Sequence, residues 1–159
     1  MKVIVAEHFG LCFGVRDAIA QAHALAREGP LTILGELVHN PIVREQLRSS
    51  GVQEQSSADA ANGRVITAHG TSDKQREALN KRGLDVADGT CPLVRYTHNQ
   101  LKRLVRAGYF PVVIGLANHV EVRGLVGDFV EACVINEVAD IRRLPPRCRY
   151  GIVSQTTQP

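Results

Sequence analysis

The sequence predicts an α/β fold of repeated small parallel-sheet lobes with flanking helices. Three observations lead there. Short β-branched runs alternate with amphipathic stretches of helical period along the 159 residues. Each run ends in a loop carrying polar or sulfur residues, and several loops open onto a helix start marked by Asn, Ser or Pro. Such alternation is the pattern of parallel sheets, whose ligands bind at the carboxyl ends of strands against helix N-termini.

Taken in order, Val3, Ile4 and Val5 read as a first strand and residues 7–14 as its loop. From Val15, apolar Ala18, Ile19, Ala22, Leu25 and Ala26 follow helical spacing until Gly29 and Pro30 stop the helix. Residues 31–34 form a second strand, and Asn40 caps a helix with Pro41 at its first position, ending near Gly51. The polar stretch 53–63 reads as an exposed excursion with at most a short helix. Residues 64–67 are a third strand, and Ser72 with Gln75 forms a capping box for a helix closed by Gly83. Residues 84–87, 110–114, 132–135 and 150–154 supply the remaining strands, with a long helix to about Ala107 and a short one near 137–143.

Composition narrows the function. With 44% apolar and 22% charged residues the chain is an ordinary globular one, not a disordered or collagen-like one. Its apolar runs are too short to cross a bilayer and residues 1–6 too short for a signal peptide, so the expected location is cytoplasmic. A net charge of +3 from nineteen scattered Lys and Arg, with 4% aromatics, argues against nucleic acid and suits an anionic small molecule. Four cysteines with no C-x-x-C pair imply that any metal site is assembled from distant segments.

The central stretch is Asp88-Gly89-Thr90-Cys91-Pro92-Leu93-Val94, where a strand ends, a cysteine is presented and a helix begins. The free N–H groups and positive dipole end there suit a negatively charged sulfur. Cys12, His39, His69, His119 and Thr156 occupy equivalent loop positions. One such histidine alone is more often a packing or capping residue, but five His and Cys so placed favour a shared pocket. His8, His23 and His98 carry no such signal, and Cys133 and Cys148 read as structural. Thiolates from distant loops suit an iron–sulfur cluster better than structural zinc. Histidines near helix starts suit a phosphate or diphosphate. Glu121 supplies a carboxyl group for proton delivery, and the Thr156 hydroxyl a relay.

Six ordered motifs then carry a resemblance. Gly10-Leu11-Cys12-Phe13-Gly14-Val15, Leu34-Gly35-Glu36-Leu37-Val38-His39-Asn40-Pro41 and Ala68-His69-Gly70-Thr71-Ser72 come first. Thr90-Cys91-Pro92-Leu93-Val94, His119-Val120-Glu121-Val122-Arg123-Gly124 and Ser154-Gln155-Thr156-Thr157 follow. Together they resemble the signatures of the LytB-type 4-hydroxy-3-methylbut-2-enyl diphosphate reductases, the last enzymes of the methylerythritol phosphate route to isoprenoids.

The resemblance implies three α/β lobes around a central 4Fe-4S cluster held by one cysteine per lobe, with Cys12 and Cys91 as the first two ligands. It implies that His39, His69 and His119 bind the diphosphate with Gln155 alongside, that Glu121 delivers a proton and that Thr156 relays it. The implied reaction is reductive dehydroxylation to isopentenyl and dimethylallyl diphosphate, fed by a ferredoxin or flavodoxin type donor. Val120 stands where the family usually has proline, and the family's third cysteine lies beyond residue 159. The sequence therefore reads as an N-terminal half, with residues 1–90 a first lobe, 91–159 a truncated second lobe and the third absent. A phosphometabolite-binding module without redox activity and one chain of a split enzyme are the alternative readings.

Overall fold

The computed structural model describes the chain except residues 1, 5, 6, 8, 9, 62, 147, 148 and 159, and of residue 58 the backbone alone. Helix α1 (Phe13–Glu28) leads into strand β1 (Leu31–Leu34), helix α2 (Pro41–Ser49) and strand β2 (Val52–Gln55). A single 3-10 turn (Ala58–Ala60) precedes β3 (Arg64–Thr67), α3 (Asp73–Lys81) and β4 (Asp85–Asp88). Then come α4 (Pro92–Arg106), β5 (Phe110–Ile114), α5 (Val120–Val126), β6 (Cys133–Ile135), a 3-10 segment (Val138–Arg143) and β7 (Tyr150–Ser154).

Two sheets result, both parallel throughout: β2-β1-β3-β4 and β6-β5-β7. Parallel strands covered by helices need apolar residues along their whole length. Leu31 and Ile33 on β1 and Val65 and Ile66 on β3 are accordingly buried, and the former sheet packs with Ala18, Ala22 and Leu47 of α1 and α2. In the second sheet Val113 packs with Leu101 of α4 and Val122 and Leu125 of α5. Truncating a fully buried leucine such as Leu47 or Leu101 would cost about 2–5 kcal/mol.

Asn40 caps α2 by accepting from the N–H groups of Ile42 and Val43, and Ser72 caps α3 by accepting from Gln75 N–H at 3.2 Å. Two expectations are corrected. Residues 52–55 form strand β2 rather than an excursion, because an edge strand with one buried face tolerates polar Gln53 and Glu54. Val3 and Ile4 are exposed and outside any strand, while Val5 lies outside the described residues, as do His8 and Cys148.

The two sheets are clasped together through α3 and α5. Asp128, just past α5, accepts from the N–H groups of Asp73 and Lys74 at 2.9 and 3.0 Å, satisfying two of the unpaired donors at the start of α3. Lys102 of α4 pairs with Asp73. Gly124 meets the Gly70 carbonyl so closely that a Cβ there would lie 1.7 Å from the oxygen. Only glycine permits this approach.

Candidate functional site: a histidine-lined cleft across two sheets

His39, His69, Cys91, His119, Gln155 and Thr156 sit in loops that follow strands, Glu121 lies in the first turn of α5, and Cys12 follows no strand among the described residues; the clasp brings loops of both sheets together. His39 precedes the α2 cap. His69 occupies the turn after β3 with φ 59°, followed by Gly70 at 84°. Left-handed backbone at a non-glycine residue is uncommon, histidine being among the more tolerant types, and strain of this kind concentrates where a side chain must be aimed. The His39 and His69 rings stack with centroids 5.9 Å apart.

From the other sheet, His119 is the N-cap of α5, its Nδ1 accepting from Glu121 N–H at 3.2 Å. With Nδ1 as acceptor, the neutral ring carries its proton on Nε2. Burial holds the His69 imidazole below its ordinary range; the main-chain carbonyl of Glu36 opposes this, and the nearby His39 and His119 reinforce it. His69 Nε2 is buried and has no partner among the described residues, a condition that costs about 1–3 kcal/mol unless a ligand or water meets it.

Glu121 is only 2% exposed, and both its oxygens are engaged by Thr156: Oε1 accepts from the N–H at 2.8 Å and Oε2 from the hydroxyl at 2.9 Å. Gln155 is buried beside it. Its Oε1 accepts from Leu116 N–H at 3.1 Å and its Nε2 donates to Thr157 Oγ1, so it braces the loops after β5 and β7. Gln155 thus braces the scaffold through one hydrogen bond at each end of its amide.

A cavity of about 300 Å³ lies among Glu36, His39, Asn118, His119 and Arg123, and a neighbouring one of about 240 Å³ among Gly35, Gly70, Gln75, Arg123 and Gly124. Arg123, quoted in the fifth motif without a role, adds a guanidinium to both. A larger cavity, about 670 Å³, is an open groove near His23 and Ile42 and contains none of these groups.

Cys12 and Cys91 are the N-caps of α1 and α4 and make no side-chain cap bond. Cys12 is exposed and Cys91 half-buried; both are free thiols, as is Cys133. A Cβ on Gly14 would lie 2.6 Å from Cys91 Sγ, so the first turn of α1 abuts that sulfur. The loop before Cys91 is held by Asp88, which accepts from Thr90 N–H at 3.0 Å and faces Arg76 and Arg95. Among the described residues no three His, Cys, Asp or Glu gather into a metal site. The two thiols, each at a positively polarised helix end, fit part of an iron–sulfur ligand set and do not complete one.

His98 carried no functional signal in the sequence, yet it is buried. Its Nε2 lies 3.3 Å from Asp128 Oδ2 without the alignment of a hydrogen bond, which places it in the clasp rather than the cleft.

Fold and cleft define a two-sheet parallel α/β protein in which His39 and His119 line one cavity and His69 stacks on His39. The model of the LytB protein family matches residues 3–159. The chain belongs to the LytB protein family. The 4-hydroxy-3-methylbut-2-enyl diphosphate reductase of Aquifex aeolicus is 39% identical over 167 residues, covering 99% of this chain and 57% of the relative, and that of Geobacter sp. is 37% identical over 163 residues, covering 99% and 58%. Among solved structures, the E-1-hydroxy-2-methyl-but-2-enyl-4-diphosphate reductase from Plasmodium falciparum superposes with TM-score 0.87 at 29% identity, covering 94% of this chain and 49% of that one. A second, (E)-4-hydroxy-3-methyl-but-2-enyl diphosphate reductase, gives 0.86 at 38% identity, covering 99% and 59%. The chain spans about half the length of the curated relatives it matches. No helix among the described residues is long and apolar enough to cross a membrane.

Proposed function

We propose that this chain supplies the diphosphate-binding histidines, the proton-delivering pair and two cluster thiolates of an iron–sulfur 4-hydroxy-3-methylbut-2-enyl diphosphate reductase. The observation that carries the reading is the convergence of His39, His69 and His119 beside the buried Glu121 and its exposed partner Thr156. The names of the relatives supply the substrate. In lobes, the chain corresponds to a first unit over 1–90 and a second over 91–159, acting in the cytoplasm with a ferredoxin or flavodoxin type donor.

A 4Fe-4S cluster held in part by Cys12 and Cys91 would supply the electrons and a Lewis-acidic iron for the substrate hydroxyl. The chain's own residues bind and protonate. His69 Nε2, desolvated and without a partner, gains a phosphate oxygen at little reorganisation cost, and His39 and His119 extend the donor set. The Thr156 hydroxyl gives its hydrogen to Glu121, which leaves its lone pairs to accept from substrate and makes it the link between substrate and the Glu121 carboxyl behind it. Overall two electrons and two protons enter, the allylic C–O bond breaks and water leaves.

The test is anaerobic iron–sulfur reconstitution of the chain beside a Cys12→Ser, Cys91→Ser double variant, read by visible absorption and bound iron. Uptake that disappears in the variant supports the two ligands; equal uptake in both overturns them. Binding of phosphate esters with no cysteine-dependent iron would instead favour the binding-module reading.

A further inference from the structure

We propose that Glu36 is the positioning residue of the cleft: its carboxylate fixes a proton on His39 Nδ1 and leaves Nε2 for the ligand. Its main-chain carbonyl steadies the neighbouring His69. The proposal rests on the diphosphate reading for its consequence, though not for its geometry.

Glu36 Oε2 lies 2.9 Å from His39 Nδ1. An ionised carboxylate only accepts, so the nitrogen facing it must carry hydrogen. The other oxygen is taken by Arg44 Nη1 at 2.9 Å. Arg44 is itself held on β2 by Glu54, through Nε to Oε1 at 3.1 Å and Nη2 to Oε2 at 2.8 Å, and Arg48 also reaches Glu54. Glu36 is therefore anchored on the side away from the histidine. His39 has a side chain 72% exposed, which would otherwise sample many rotamers. Anchoring it before a ligand arrives removes an ordering cost from binding. The main-chain carbonyl of the same residue supports the His69 ring against its burial, and it is the Nε2 of that ring that stands without a partner. One residue thus serves two stacked rings and directs the far nitrogen of each to the ligand.

Binding an anion at Nε2 brings a second proton in from solvent with the ligand, so that His39 bridges Glu36 and a phosphate oxygen through hydrogen bonds at both ends. Glu36→Gln dissects this sharply. Arg44 claims the amide oxygen, the amide NH₂ then faces His39, and Nδ1 must accept, which moves the proton to Nε2 and ends the two-ended bridge.

The experiment uses the 159-residue chain and inorganic pyrophosphate. Long-range proton–nitrogen correlation spectra of the ligand-free imidazoles are expected to show His39 protonated on Nδ1 in the wild type and on Nε2 in Glu36→Gln. Pyrophosphate affinity measured by calorimetry is expected to fall about tenfold, the loss of one charge-assisted bond. An Nε2 proton on wild-type His39 overturns the proposal without any variant, so a misfolded Glu36→Gln leaves it testable. Unchanged tautomer and affinity in the variant overturn it as well. A wild-type chain that ignores pyrophosphate overturns the diphosphate reading instead, while the tautomer is still decided in the ligand-free spectra.

Discussion

Gly124→Ala tests whether the cleft depends on contact between the two sheets. A Cβ at residue 124 would sit 1.7 Å from the Gly70 oxygen and 2.8 Å from its carbonyl carbon. To reach even 3.0 Å from the oxygen, α5 and the turn after β3 must part by about 1.3 Å. Alanine inside a helix ordinarily gains about 1 kcal/mol over glycine. Overpacking against backbone, which cannot rotate away as a side chain can, costs about 1–3 kcal/mol and at this overlap the upper end applies. The balance is a loss of about 2 kcal/mol, or a melting temperature lower by about 4–8 °C in a chain of this size. The second effect is on the site: His119 rides on α5 and His69 on the turn, so parting them by about 1.3 Å separates the two rings and weakens pyrophosphate binding. Scanning calorimetry and pyrophosphate titration of the variant measure both. A variant that melts with the wild type and binds as tightly would refute the claim that this contact sets the cleft.

Two further substitutions probe the buried groups. Glu121→Ala removes the acceptors of both the N–H and the hydroxyl of Thr156 and, at about 1 kcal/mol for each hydrogen bond, is expected to cost about 2 kcal/mol in urea unfolding, whereas Glu121→Gln keeps one acceptor and costs about 1 kcal/mol; equal midpoints for both would contradict the pair of hydrogen bonds to Thr156. His98 is held below the ordinary imidazole value of 6.5 by burial and then by the Lys102 charge, with Asp128 and Asp73 opposing. The folded ring is the poorer base, so the unfolded chain takes up the proton first. Stability is then full above 6.5 and declines as pH falls from there through the lower folded value. His69 shares this sign, so thermal midpoints followed downward from neutral pH should fall less steeply in His98→Gln without becoming flat. A slope unchanged by the substitution would remove His98 from the account.

The loops were legible because chemistry-bearing residues stand directly after β-branched runs, and the caps at Asn40 and Ser72 follow from short-range hydrogen bonding that needs no knowledge of the rest of the chain. What escaped depends on partners far away in sequence. β2 is polar along most of its length, and Glu54 is at home there only because Arg44 and Arg48 of α2 reach it. Val3 and Ile4 have high strand propensity but no neighbour to pair with among the described residues, and propensity without a ladder does not make a strand. Asp128 looked like one more acidic residue after a glycine; its task is 54 and 55 residues away at the start of α3. Glu36 and Gly124 lay inside quoted motifs, where the neighbouring histidines drew the functional reading and the residues that aim them did not.

The placement of the histidines on both sides of the clasp makes occupancy and cohesion one quantity. A ligand held by His69 from one sheet and His119 from the other works as a rivet, and whatever it gains in binding it returns as resistance to separation of the halves. At a hundred times its dissociation constant such a ligand would add about 2.7 kcal/mol to the assembled state. Mutations that loosen the clasp therefore show up first as weaker binding at low ligand concentration, and saturating ligand masks them.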